Sequence, residues 1–403
     1  MLKKILSKDL TFNFLIKSIA PIIGYFILLL NTRFIDSQNL GFIFLGISYI
    51  GIISRFSTLG FPQLATKYFF SELSINKSNI YKYLIAFQLI VSLMIFVVLS
   101  KVFNVNIYYL PMVLLTIIAS YFSVKLKVNN HLRAFIIVGS LLTPIIQSIL
   151  LLFFIFNNPL RPVYYLFFLS LTNCSIIFIT SKFLINDNKL FNNFKRNNLK
   201  IFIISSLFIG FSGFLSRLNT NIDNIMIGQI CGVNCIPSYK LHSMILVGSQ
   251  LFCMTYNLKL TNKLSNFISL KKYKLYKLSI LKGIKLNFFY NLVTSVLILL
   301  IIPRFTAFMS GGNYDLSYKL YVIFLLSGLS FSTLTYLTAA NLYLGLEKIM
   351  MVINSLGVAI NIILNILLIP QIGLFGAAFA TLIGSLVSLS LSSLLYVKNI
   401  NAK

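Results

Sequence analysis

Apolar runs of membrane-span length, broken by short clusters of charged and turn residues, recur along the whole chain. Bounded by those breaks, they predict helices over 11–31, 41–62, 83–100, 108–124, 134–156 and 163–183. A second set follows over 201–228, 236–257, 284–303, 318–342, 349–369 and 374–397. A crossing helix needs about 20 mostly apolar residues, and each run supplies roughly that length. Strand-like alternation with a period of two is absent, which argues against a β-barrel. The expected fold class is therefore an all-α polytopic membrane protein with about 12 transmembrane helices. The Asn- and Lys-rich stretch 184–200 divides them into two six-helix lobes, residues 1–190 and 191–403. Such a plan is typical of transporters built from two repeat lobes. Met1-Leu2-Lys3-Lys4 leads straight into the first apolar run without a small-residue cleavage site, so an uncleaved first helix is expected.

Composition narrows the class. The chain has 403 residues, 58% of them apolar and only 10% charged, with a mean hydropathy of +0.90. Soluble domains carry about 25% charge, so a water-soluble enzyme is excluded, and so is disorder, which needs low hydrophobicity. Lys and Arg number 34 against 7 Asp and Glu, a net charge of +27. In a membrane protein such an excess first reads as topology, because basic residues collect in cytoplasmic loops. With the N-terminus inside, 25 of the basic residues fall in inner segments and only Arg33, Lys101, Arg161 and Arg304 in outer ones. Both termini are therefore expected in the cytoplasm.

Five basic residues escape that account: Lys17, Arg55, Arg217, Lys240 and Lys319. Lys319 opens span ten and can snorkel outward. The other four lie within spans one, two, seven and eight, with Arg55 placed deepest. A charge at a helix centre costs about 2.5–3.5 kcal/mol on insertion scales. Either each snorkels to the nearer interface, or together they line a cationic, water-filled cavity between the lobes. The second arrangement suits an anionic substrate. Arg grips phosphate with a two-pronged fork, and Lys supplies a point charge. A pyrophosphate-linked sugar carrier is one ligand that fits, and Tyr25, Asn31, Asn219 and Asn221 are candidates to hydrogen-bond its sugars. Asp36 and Asp223 are the acids near the outer half of these helices, which makes them candidates for ion coupling by H⁺ or Na⁺.

The remaining chemistry is sparse. His131 sits in a basic inner loop, and His242 follows Lys240 and can titrate near neutral pH. Cys231 and Cys235, four apart, suit one helix face as well as a disulfide. Catalytic motifs and metal-ligand spacings are missing, so neither an enzyme nor a cofactor or metal is expected.

A family resemblance enters at the C-terminal end. Pro370-Gln371-Ile372-Gly373-Leu374-Phe375-Gly376-Ala377-Ala378-Phe379-Ala380-Thr381 is similar to a signature of polysaccharide exporters in the multidrug/oligosaccharidyl-lipid/polysaccharide (MOP) superfamily. In that signature Pro370 ends span eleven, Gly373 turns the chain, and the small residues let span twelve pack closely. Leu59-Gly60-Phe61-Pro62, Ile222 to Gly228 and Ser310 to Tyr314 resemble further stretches of the family. Ile236-Pro237-Ser238-Tyr239 departs from its pattern. The chain resembles in particular the Wzx-type O-antigen flippases. That resemblance implies a MATE-like fold, alternating access and movement of an undecaprenyl-pyrophosphate-linked glycan, the O-antigen repeat unit, for lipopolysaccharide biosynthesis. It also implies contact with membrane lipids, a polysaccharide polymerase and a chain-length regulator, and no nucleic acid. The rival readings are a MATE-type multidrug or cation antiporter, which wants acids in its cavity, and a membrane polysaccharide polymerase or ligase, which wants a large outer loop.

Overall fold

The computed structural model describes residues 23–58, 107–128, 162–184, 197–246, 270–309 and 317–401, with scattered positions between 89 and 98, 137 and 150, and 250 and 268. Among the described residues every regular element is a helix. The elements are α1 (Ser37–Ser57), α2 (Leu110–Val128), α3 (Pro162–Leu184), α4 (Asn197–Ile230), α5 (Cys235–Ser243), α6 (Tyr273–Met309), α7 (Tyr318–Tyr343), α8 (Glu347–Ile372) and α9 (Leu374–Asn401). A helical stretch Ile23–Phe34 precedes them, and a 3-10 turn, Ile107–Tyr109, leads into α2. Six of these helices, α1, α3 and α6 to α9, are long and apolar enough to cross a membrane. In hydrocarbon only a helix or a closed barrel satisfies its own backbone. Serine and threonine hydroxyls comply as well, turning back onto their own helix, as Ser57 does to the Ile53 carbonyl and Ser181 to that of Phe178.

The chain divides into two compact units. The first takes the described residues of Phe42–Asn221, the second those of Lys17–Gly41 and Ile222–Lys403. In the first, α2 packs along α3, with Met112, Val113, Ile117, Leu166 and Leu169 in its core. The rings of Phe122 and Phe178 meet edge to face at 4.9 Å. Those of Tyr49 on α1 and Tyr109 lie 6.4 Å apart.

In the second unit α9 packs on both α7 and α8, and α6 on α7. The α8–α9 crossing is close because it is built from small residues. A Cβ at Gly376 would fall 2.5 Å from the backbone of Leu368, and one at Gly384 would fall 2.8 Å from the Gly357 carbonyl oxygen. Ala377, Ala378 and Ala380 are wholly buried beside them. Polar side chains pin the same helices. Asn341 donates to the carbonyl and hydroxyl of Ser392, and Asn287 donates to the Ser332 hydroxyl. At one end a cluster of Tyr276, Ile280, Tyr336, Leu337, Ala340, Tyr396 and Ile400 closes the core.

The ends of α6 and α8 differ from expectation. The lysine-rich stretch ahead of 284, outside every expected span, is helix from Tyr273 onward, and the helix runs through Pro303 to Met309. Pro370 does not end span eleven; it lies inside α8, which continues to Ile372 before Gly373 turns at φ 58°. A proline in the last turn removes only one backbone hydrogen bond, so the helix tolerates it there.

Candidate functional site

The first unit holds a cavity of about 570 Å³ lined by Arg55, Ser212, Gly213, Ser216, Arg217 and Thr220. Arg55 stands in the last turn of α1, nearer a helix end than the expected span placed it. Arg217 stands on α4, four residues after Gly213, just as Arg55 stands four residues after Gly51. The two segments share a pattern, Gly51-Ile52-Ile53-Ser54-Arg55 and Gly213-Phe214-Leu215-Ser216-Arg217.

The pattern has a reciprocal geometry. A Cβ at Gly213 would lie 2.7 Å from both Nε and Nη2 of Arg55. A Cβ at Gly51 would lie 2.8 Å from Nε of Arg217 and 3.0 Å from its Nη2. Each guanidinium therefore rests on the bare backbone of the other helix's glycine, where any side chain would displace it. The rings of Phe56 and Phe214, next in sequence to Arg55 and Gly213, meet at 4.5 Å. Ile53 and Leu215, near the middle of the two segments, are buried. The side chains named in the lining offer two guanidiniums, three hydroxyls and no carboxylate. Ser212, Ser216 and Thr220 recur every four residues, so their hydroxyls follow one face of α4. Thr220 donates to the Arg217 carbonyl, and Asn221 donates to that carbonyl and to the Thr220 hydroxyl. The site fits a multiply charged, oxygen-rich anion: forks for the phosphoryl oxygens, hydroxyls beside them.

The other expected residues have different settings. Lys17 and His131 lie outside the described residues. Lys240 belongs to the second unit, half-buried on α5. Asp36 is exposed and caps α1, its Oδ2 accepting the Asn39 backbone N–H at 3.0 Å and its Oδ1 the Asn39 side-chain amide at 2.7 Å. Tyr25 hydrogen-bonds Thr306 at 2.6 Å. His242 is held at both ring nitrogens: Nδ1 lies 2.7 Å from the Ser238 carbonyl, and Nε2 accepts the Ser317 N–H at 3.1 Å. Those partners assign the neutral tautomer with the proton on Nδ1. Cys231 and Cys235 are free thiols, and the Cys235 Sγ points to the Cys231 carbonyl at 3.4 Å.

Asp223 sits in a buried polar knot of the second unit. Tyr239 Oη and Thr381 Oγ1 donate to its Oδ2 at 2.7 and 2.6 Å, and Asn365 Nδ2 donates to Oδ1 at 2.8 Å. Asn361 supports this shell, donating to Thr381 and accepting from Asn365. One carboxylate thus ties together α4, α5, α8 and α9. Sequence alone puts Asp223 near the outer half of its helix; its partners lie as far as 158 positions away. Gly51, Gly213 and the α4 hydroxyls also escaped the sequence, although the repeated Gly-x-x-Ser-Arg was a signal in it.

Solved structures with the same architecture are transporters. The lipid II flippase MurJ in an inward closed conformation superposes with a TM-score of 0.66 at 18% identity, covering 98% of this chain and 87% of that one. A MOP superfamily transporter from Pyrococcus furiosus, reported with a binding pocket of reverse polarity, gives 0.62 at 14% identity over 97% and 96%. An inward-facing multidrug resistance MATE transporter gives 0.60 at 13% identity over 96% and 98%. The fold is that of the MATE and MurJ transporters. No family model and no curated protein matches the chain.

Proposed function

We propose that this protein is a membrane flippase that carries an undecaprenyl-pyrophosphate-linked oligosaccharide, the O-antigen repeat unit, across a bacterial inner membrane by alternating access. The observation that carries this reading is the reciprocal Arg55–Arg217 pocket, rich in hydroxyls and without an acid among the described residues of its lining. A pocket for cationic drugs would present carboxylates instead. The two guanidiniums hold the pyrophosphate while the hydroxyls of α4 meet its outer oxygens or the first sugar. The polyprenyl tail stays in lipid, and no covalent bond is made or broken. The fold shared with a lipid II flippase supports the same class of cargo. Asp223 is the residue to which we assign H⁺ or Na⁺ coupling, because its buried carboxylate links four helices, whereas Asp36 is exposed and bonds only within the start of α1. A polymerase and a chain-length regulator would take the product on the far side.

The test is restoration of glycan display by Arg55→Lys and Arg55→Ala at matched membrane abundance, beside flipping of a fluorescent pyrophosphate-linked glycan in vesicles. A charged hydrogen bond contributes about 1.5–3 kcal/mol. The Ala variant should therefore lose about ten- to a hundredfold in substrate affinity, and Lys should retain part, having charge without the fork. Full activity in the Ala variant, or export of a cationic dye in place of the glycan, overturns the reading.

A further inference from the structure

The helix α6 is longer than a membrane is thick. Its 37 residues span about 55 Å at 1.5 Å per residue, against a hydrocarbon core of about 30 Å. The excess must lie in a headgroup zone or in water, and the side chains say at which end. From Leu286 to Ile301 the outward face is apolar: Phe288, Phe289, Leu292, Val296, Leu300 and Ile301 are all exposed, and the next exposed charge is Arg304 near the far end of the helix. That is a lipid-facing surface. From Tyr273 to Lys285 the same outward face changes character. Lys274, Lys277, Lys282 and Lys285 are exposed there, and between them Leu278 and Leu281 are 53% and 42% exposed. At 100° per residue, lysines and leucines fall on one side and Tyr276, Ile280 and Gly283 on the other.

A water-facing helix would separate its leucines from its lysines, placing the leucines inward. Interleaving both on one outward face suits the boundary between acyl chains and headgroups, where leucine sinks and lysine snorkels. Lys271 and Lys272 extend the basic patch into the preceding turn. Lys271 takes a left-handed φ of 54°, and the two backbone N–H groups bond back to Ile268 and Phe267. From Lys271 to Lys285 the sequence contains no acid. The buried side is anchored: Tyr276 Oη donates to the Ala340 carbonyl in the last turn of α7 at 2.6 Å, and Ile280 joins the same core.

We propose that Tyr273–Lys285 is a docking shelf for anionic phospholipid of the surrounding bilayer, with phosphodiester headgroups between the lysines and acyl chains against Leu278, Leu281 and Phe288. This surface lies in the second unit, is separate from the arginine pocket and does not depend on what the protein transports.

The experiment uses the full wild-type chain in nanodiscs of phosphatidylglycerol or of phosphatidylcholine, with no lipid-linked glycan present. Lysine acylation read by mass spectrometry should fall at least threefold at Lys274, Lys277, Lys282 and Lys285 in phosphatidylglycerol. Equal reactivity in the two lipids overturns the proposal. Each lysine near an anionic surface contributes about fivefold to binding. In native mass spectrometry the combined Lys→Gln variant at the four positions should therefore lose phosphatidylglycerol affinity tenfold or more, while the combined Lys→Arg variant keeps it. Undiminished retention by the Gln variant also overturns it, and the wild-type footprint decides alone should that variant fail to fold.

Discussion

Gly213 separates binding from stability more cleanly than the arginines do. The three atoms nearest a Cβ there all belong to the guanidinium of Arg55, the far end of a flexible side chain. Arg55 can swing away, and alanine in a helix is favoured over glycine by about 0.5–1 kcal/mol. Gly213→Ala should therefore leave thermal stability in detergent unchanged or slightly raised, yet weaken binding of the pyrophosphate-linked glycan by roughly tenfold, the loss of one charged hydrogen bond. A fall in both together would show that the glycine is needed only for packing. Asp223 gives the opposite contrast. Its carboxylate accepts from Tyr239, Thr381 and Asn365, and an unpaired buried polar group costs about 1–3 kcal/mol. Asp223→Ala strands three donors and should lower the melting temperature by many degrees. Asp223→Asn keeps the shape and most of the bonds, so it should fold normally. The measured outcome that checks the coupling role is transport by the Asn variant: it should no longer respond to an imposed ion gradient.

Among the helices, the α8–α9 crossing carries the sharpest packing prediction. Gly376→Ala puts a methyl 2.5 Å from the Leu368 backbone, which cannot move as a side-chain tip can. Overpacking of this kind costs about 1–3 kcal/mol, and a thermal melt in detergent should show it. That crossing was readable from the sequence, because small residues at helical spacing have one plain use in a membrane. The span positions were readable too: α3, α7, α8 and α9 match the predicted runs within a few residues. What failed was the start of α6. Eight lysines between Lys259 and Lys285 looked like a solvated loop, since hydropathy weighs the whole window and ignores that Tyr276, Ile280 and Gly283 share one face. The arginine pocket was half legible. Burial cost marked Arg55 and Arg217 one at a time, but their mutual arrangement rests on glycines with no side chain to notice. The partners of Asp223 are Asn, Thr and Tyr, residues too common for any spacing to single out.

For the molecule as a whole, the basic residues set a testable orientation. With Cys231 and Cys235 replaced by serine, a membrane-impermeant thiol reagent added outside intact cells should label Arg33→Cys and leave Leu270→Cys unlabelled until the membrane is opened. Labelling of Leu270→Cys from outside would invert the topology. The reciprocal pairing of arginines and glycines also has a consequence in time. Arg55 and its resting place, Gly213, are 158 residues apart in the chain. At synthesis rates of about 5–20 residues per second, a ribosome needs roughly 8–30 s to cover that interval. For those seconds α1 is made and its cation has no glycine to lie on. Until α4 emerges, lipid phosphates and water at the insertion channel occupy the place where that glycine will lie. The pocket is therefore completed only when α4 arrives, and its assembly is sensitive to the lipid into which the chain is born.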